Sequence, residues 1–198
     1  MNVLFKSILG ALLLITGTGF AHAETFMVTG AGITSQPIGH YEFCRSNPVE
    51  CSIVSVETAP LALTKKAWGT IVSVNRKVNE TVYPLSDIEI YGKDEVWSYP
   101  QQGVGDCEDY VLEKRRILAA AGISLSDLLI TVVRKRNGEG HAVLTLRTTK
   151  GDYILDNLTD EILPWEKTSY RFLKRQQTIH TGRWAAIIDR ELITASTK

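Results

Sequence analysis

Gly103-Val104-Gly105-Asp106-Cys107-Glu108-Asp109-Tyr110 is the stretch from which the rest of the chain can be placed. Asp106 is a good helix N-cap, Asp109 stands three residues later in capping-box position, and Gly122 is a good C-terminal stop. A helix over residues 107–121 follows, with Tyr110, Ile117 and Ala121 along one side and Val111 and Leu118 along an adjacent one. Cys107 then occupies the first turn. Unpaired backbone N–H groups and the helix dipole gather partial positive charge there, so the thiol pKa is expected to fall. The glycines let backbone and substrate approach closely, and the same amides could hold an oxyanion during acyl transfer. A helical cysteine also has a plain alternative role, as a small inert core residue.

Downstream, residues 128–135 are rich in Leu, Ile and Val, and residues 141–148 alternate as a half-buried strand does. Asn137-Gly138-Glu139-Gly140 makes a turn between them, and Lys150-Gly151-Asp152 leads into Tyr153-Ile154-Leu155-Asp156. His141 opens one strand and Asp156 closes the next. Histidine can take a thiol proton and return it to a leaving amine, and a carboxylate fixes its tautomer. Cys107, His141 and Asp156 therefore form the candidate catalytic set. Their order along helix, strand and strand is what a papain-like or transglutaminase-like core requires. The hairpin register opposes this: a two-residue turn at Lys150-Gly151 pairs Asp156 with Thr145, roughly 13 Å along the strand from His141. A bulge or a differently placed turn must shorten the separation.

Upstream, Pro60 reads as a first-turn proline with Thr58 or Ala59 at the cap. Leu61, Trp68, Ile71, Val72 and Val78 then recur at helical spacing, which predicts a helix over residues 61–78. Asn75 and Asn79, one turn apart on it, suit a polar contact with a neighbouring loop. Residues 83–100 read as a surface-crossing loop, and residues 24–57 as loops and short strands. Helices before and beside an antiparallel meander make the fold class α+β.

The first 23 residues read as a cleavable signal peptide: Lys6 is positive, residues 8–18 are apolar, and Ala21-His22-Ala23 offers a cut after Ala23. An uncleaved anchor is the alternative. The domain is then residues 24–198, with no stable membrane insertion after cleavage and a periplasmic or secreted location. Export makes a Cys44–Cys51 disulfide the favoured pairing; zinc held by His40 and the two sulfurs is a weaker option without a visible fourth ligand. Of 198 residues, 44% are hydrophobic and 22% charged, an ordinary globular balance. Lys+Arg and Asp+Glu are 22 each, so nothing in the net charge favours nucleic acid or an anionic membrane as partner.

Gly105-Asp106-Cys107-Glu108-Asp109-Tyr110 resembles the bacterial transglutaminase-like cysteine peptidases, a family that includes the LapG-type periplasmic protease which releases adhesins from the cell surface. The likeness extends to Trp97-Ser98-Tyr99-Pro100, Lys114-Arg115-Arg116, Gly138-Glu139-Gly140-His141-Ala142-Val143-Leu144, Leu155-Asp156-Asn157, Leu163-Pro164-Trp165 and Lys174-Arg175-Gln176. It implies Cys107 as nucleophile, His141 as general base and acid, and Asp156 as the orienting residue. It also implies a calcium site using Asp106 and Glu108, with Asp109 close by; hard oxygen ligands suit that ion. Otherwise these acids only cap the helix and complement its dipole. Trp97 is a candidate for substrate or oxyanion contact, or for plain packing, and Gln101 and Gln102 are weaker oxyanion candidates.

The expected function is an exported cysteine endopeptidase acting through a thioacyl-enzyme, with no cofactor required for the chemistry. Its substrate is expected to be a periplasmic or cell-surface protein, with an inner-membrane regulatory receptor as a further partner implied by the resemblance. Two alternatives remain: an acyl transferase or amidase acting on amines or cell-wall peptides, and a non-enzymatic calcium-responsive binding module.

Overall fold

Apolar residues on both faces of residues 128–134 and 140–148 demand cover on both sides, and that requirement organises the molecule. The computed structural model describes residues 26–56 and 59–188; the expected leader and the Thr58 cap lie outside them. In chain order the helices are α1 (Ile38–Ser46), α2 (Pro48–Cys51), α3 (Lys65–Thr81), α4 (Asp87–Tyr91) and α5 (Cys107–Ala120). The strands are β1 (Tyr83–Pro84), β2 (Val104–Gly105), β3 (Leu128–Arg134), β4 (Gly140–Thr148), β5 (Gly151–Leu155), β6 (Leu163–Pro164), β7 (Arg171–Gln177) and β8 (His180–Ala186). Six of them form one antiparallel sheet in the order β6-β5-β4-β3-β7-β8, and β1 pairs with β2 in a short parallel bridge. The fold is α+β, as expected.

Helix α5 lies across this sheet. Val111, Leu112 and Leu118 pack against Leu128, Ile130, Ala142, Leu144 and Leu146, all buried. Each large apolar side chain removed from water this way contributes roughly 1.5–3 kcal/mol. On the opposite face Val133, Val143 and Ile154 pack with Met27. Helix α3, with Val82 just past its end, flanks α5 where Val78 and Val82 pack against Tyr110.

Several boundaries differ from the sequence expectation. Helix α3 begins at Lys65, where the Thr64 side chain accepts the Ala67 N–H at 3.1 Å. Leu61 is instead extended beside β4, donating its N–H to the Arg147 carbonyl and accepting from Thr149 N–H. Apolar periodicity extended the expected helix upstream, but pairing with the sheet claims that segment. Residues expected as loops and strands near the start include α1 and α2, and the Cys44–Cys51 disulfide joins the two across a Cα–Cα distance of 5.5 Å. The expected loop at 83–100 contains α4, whose Glu89 carboxylate accepts from Ser86 N–H and O–H at 2.9 and 2.6 Å.

Candidate active site

Cys107 is the first residue of α5, as its flanking residues predict, but the cap differs. The Asp106 side chain makes no capping bond, and the Asp109 carboxylate reaches away to accept the Ser98 N–H at 2.7 Å. Gly105 permits this fold-back: a Cβ there would lie 2.7 Å from Asp109 Cβ and Oδ2. The Cys107 S–H donates to Glu108 Oε2 at 3.1 Å, and the sulfur accepts the Ala142 N–H at 3.4 Å. Burial, then the Glu108 charge, push the thiol well above its ordinary value, against a smaller opposing pull from Ala142. This reverses the expected direction. The helix-dipole argument counts amides, whereas here the half-buried Cys107 is crowded by protein and two acids stand beside it.

The hairpin register resolves the strand difficulty. Thr148 pairs with Gly151 and Leu144 with Leu155, so the turn is Thr149-Lys150, one residue earlier than Lys150-Gly151. Gly151 takes φ 112°, a conformation that favours glycine. Continued by one residue, that register sets Asp156 level with Val143 instead of Thr145. His141 Nε2 and Asp156 Oδ1 are 2.9 Å apart, both side chains 3% exposed. Nδ1 is left for another partner. Because β5 stops at Leu155, β4 beyond Leu144 keeps β3 on one side but has no strand on the other, and on that open side the Ala142 amide meets Cys107. The sulfur is thus bonded to the backbone of the residue that follows His141.

Asp156 is held on several sides. Its carbonyl accepts Lys114 Nζ at 2.8 Å and Asn79 Nδ2 at 3.0 Å, so the asparagines of α3 do contact the neighbouring loop. Asn75 Nδ2 donates to the Asp160 carbonyl at 3.2 Å. The Asp156 carboxylate also accepts Leu158 N–H at 3.1 Å and Tyr170 O–H at 2.5 Å. Burial alone would raise its pKa, but the bond and charge of His141, then Tyr170 and Leu158, bring it below the ordinary carboxylate value. Lys114 is fully buried, and burial lowers its amine to about 7 despite Asp156 and Asp160 nearby.

A cluster of acids lies beside the thiol. Ligand oxygens of Asp87, Asp106 and Glu108 lie within 4.8 Å of one another. Asp87 was not legible in sequence; α4 brings it in, with its carboxylate accepting the Val96 N–H. Asp87 Oδ1 and Asp106 Oδ1 are buried without a hydrogen-bond partner. Burial, then the Asp106 charge, raise Glu108 to about 9; burial likewise raises Asp87 to about 6 and Asp109 to about 7. Oxygen donors crowded this closely and left unpaired fit a hard divalent cation.

The other candidates divide. Trp97 is 6% exposed and packs edge-on to His40 and Trp184. Its Nε1 faces α1, where a Cβ on Gly39 would meet it at 2.5 Å. Trp97 therefore sits within the core cluster that includes Phe43 and Trp184. Gln101 and Gln102 are exposed and line a cavity of about 240 Å³ with Tyr91, Ser98 and Tyr99. Cys44 and Cys51 spend their sulfurs on each other beside His40, which removes the zinc option. Burial, then Arg115, lower His40 to about 3, so it is neutral. Among the described residues no helix is long and apolar enough to cross a membrane.

The sequence pattern of the bacterial transglutaminase-like cysteine proteinases matches residues 30–192. Three solved structures of LapG from Legionella pneumophila are similar. The calcium-bound form shares 28% identity over 55% of this chain and 64% of its own, with a TM-score of 0.49. A second LapG structure shares 25% over 66% and 75%, TM-score 0.53, and an EGTA-treated form 25% over 62% and 68%, TM-score 0.53. The chain therefore spans slightly less than two thirds of the calcium-bound LapG. Among curated protein sequences nothing matches. With the family pattern running through most of its length, the chain belongs to the bacterial transglutaminase-like cysteine proteinases, a family of cysteine peptidases.

Proposed function

We propose that this chain is an exported endopeptidase that cleaves a periplasmic or cell-surface protein, with Cys107 as nucleophile, His141 as base and acid, and Asp156 as the group that orients it. The observation that carries the reading is the buried His141–Asp156 bond, one residue from the amide that touches the Cys107 sulfur. With Nε2–H given to Asp156, Nδ1 is the nitrogen free to take the thiol proton. A neutral thiol with a raised pKa needs such a base. The sulfur then attacks the scissile carbonyl, and His141 returns the proton to the leaving amine. Water, activated by the same ring, releases the second product from the thioacyl-enzyme.

Asp87, Asp106 and Glu108 are the residues proposed to hold calcium. Their crowding and their unpaired oxygens support this. The ion, when bound, supplies positive charge that offsets these carboxylates.

The test compares secreted and surface proteins from cells carrying the wild type with those from cells carrying Cys107→Ala. A fragment seen only with the wild type supports the reading and names the substrate. Purified Cys107→Ala that cleaves that substrate as fast as the wild type would rule the mechanism out. Adding a free amine separates hydrolysis from transfer, since a transferase would incorporate it into the product.

A further inference from the structure

Asp156 follows the last residue of β5, so no strand ladder fixes it. Its carbonyl is anchored from two helices by Lys114 and Asn79, but that leaves the carboxylate free to turn about its own axis. Two bonds to Oδ1, from His141 Nε2 and Leu158 N–H, still allow a swing toward Leu158 alone. The bond to Oδ2 comes from one residue, Tyr170, placed just before β7. The Tyr170 ring also lies 5.5 Å from the His141 ring, tilted by 53°. A single side chain therefore touches both members of the pair.

We propose that Tyr170 is a positioning residue of the thiol site, whose hydroxyl locks the Asp156 carboxylate so that Oδ1 faces His141 and keeps the imidazole in the Nε2–H tautomer. This rests on the reading of Cys107, His141 and Asp156 given above. Burial, then the Asp156 carboxylate, push the phenol above its ordinary value, so the hydroxyl stays a donor wherever the enzyme works. Without it, Oδ2 of a residue 3% exposed is left unpaired, and turning toward another donor is the cheapest relief. The His141 bond is then shared or lost, and Nδ1 ceases to be reliably free of a proton.

The experiment uses the full secreted chain in buffered calcium at pH 7. Cys107 alkylation by iodoacetamide is timed in the wild type, Tyr170→Phe, Tyr170→Leu, Asp156→Asn, Asp156→Asn/Tyr170→Phe and His141→Ala, and ring nitrogen NMR shifts of His141 are recorded alongside. Tyr170→Phe should slow alkylation about tenfold, the effect of one hydrogen bond to a charged group. It should also move the His141 shifts toward a mixture of tautomers while the remaining spectrum is unchanged. Tyr170→Leu should match Tyr170→Phe within about twofold if the hydroxyl, and not the ring, carries the effect. In the Asp156→Asn background the second change should add nothing. Wild-type rate and His141 shifts in Tyr170→Phe, with His141→Ala slow, would overturn the role of Tyr170 alone. A Tyr170→Leu much slower than Tyr170→Phe would do so too, by assigning the residue to packing. His141→Ala alkylated at the wild-type rate would overturn the base assignment and this inference with it.

Discussion

Asp87→Asn should stabilise the calcium-free protein while weakening its response to calcium. Burial, then the Asp106 charge, raise the Asp87 carboxyl from 3.8 to about 6. An acid raised in this way contributes its full stability only below the unfolded value and loses it as pH rises through the folded one. At pH 7.5 the ionised carboxylate therefore opposes folding. At about 1.4 kcal/mol per pKa unit the shift corresponds to about 3 kcal/mol. Because Asp106 at one end of the cluster is only half-buried, solvent screening reduces that to roughly 1–2 kcal/mol. Asn keeps an oxygen for the Val96 N–H and carries no charge. In EGTA at pH 7.5 the variant should melt about 2–8 °C higher than the wild type. At pH 4 this difference should shrink toward zero, because the wild-type carboxyl is then protonated. In calcium the order should reverse, since the wild type gains about 2.7 kcal/mol at a hundredfold excess over Kd and the variant binds more weakly. A variant less stable than the wild type in EGTA, or one retaining the whole calcium increment, would refute the reasoning.

Gly105→Ala drives a Cβ to 2.7 Å from the buried Asp109 side chain, so urea unfolding should show a loss of about 1–3 kcal/mol and Cys107 alkylation should slow as the first turn of α5 shifts. His40, lowered to about 3, contributes stability above its unfolded value of 6.5 that is lost as pH falls. The wild type should therefore lose about 2 kcal/mol between pH 7 and pH 5 in urea titrations, and His40→Gln should not; equal losses would contradict this. Asp156→Asn keeps the shape but cannot offset an imidazolium charge, so cleavage measured on the identified substrate should fall about 10²–10⁴-fold.

The strongest elements were legible because their signals are local. The expected ends of α5 fall within a residue of the observed ones, although the Asp106 side chain makes no capping bond, and the glycine turn before His141 sets the start of β4. What failed depends on distant partners. Leu61 keeps helical spacing with Trp68, yet Thr148 and Thr149 draw it into extended pairing. The Ser86-Asp87-Ile88-Glu89 pattern was a usable capping signal for α4, but nothing in it says that Asp87 will lie beside Asp106. The direction of the Cys107 shift differs for a related reason, because helix position alone does not report how the surrounding protein crowds the half-buried thiol or that Glu108 folds onto it. Tyr170 carries no sequence signal at all; it reaches Asp156 only after the chain has traversed β6 and turned back toward β7.

The tight turn at Thr149-Lys150 has a role larger than its place at the far end of the sheet suggests. Side chains alternate along a strand, so slipping β5 by one residue would send the Asp156 carboxylate to the wrong side of the sheet, roughly 17 Å from the Thr148–Gly151 pair that closes the turn. Surface turns ordinarily accept insertions and deletions with little harm. This one is braced by Thr148, whose hydroxyl donates to the Gly151 carbonyl and accepts from Lys150 N–H, and by the Leu61 carbonyl bonded to Thr149 N–H. It works as a gauge block: its length sets the alignment of a histidine and an aspartate that it never touches.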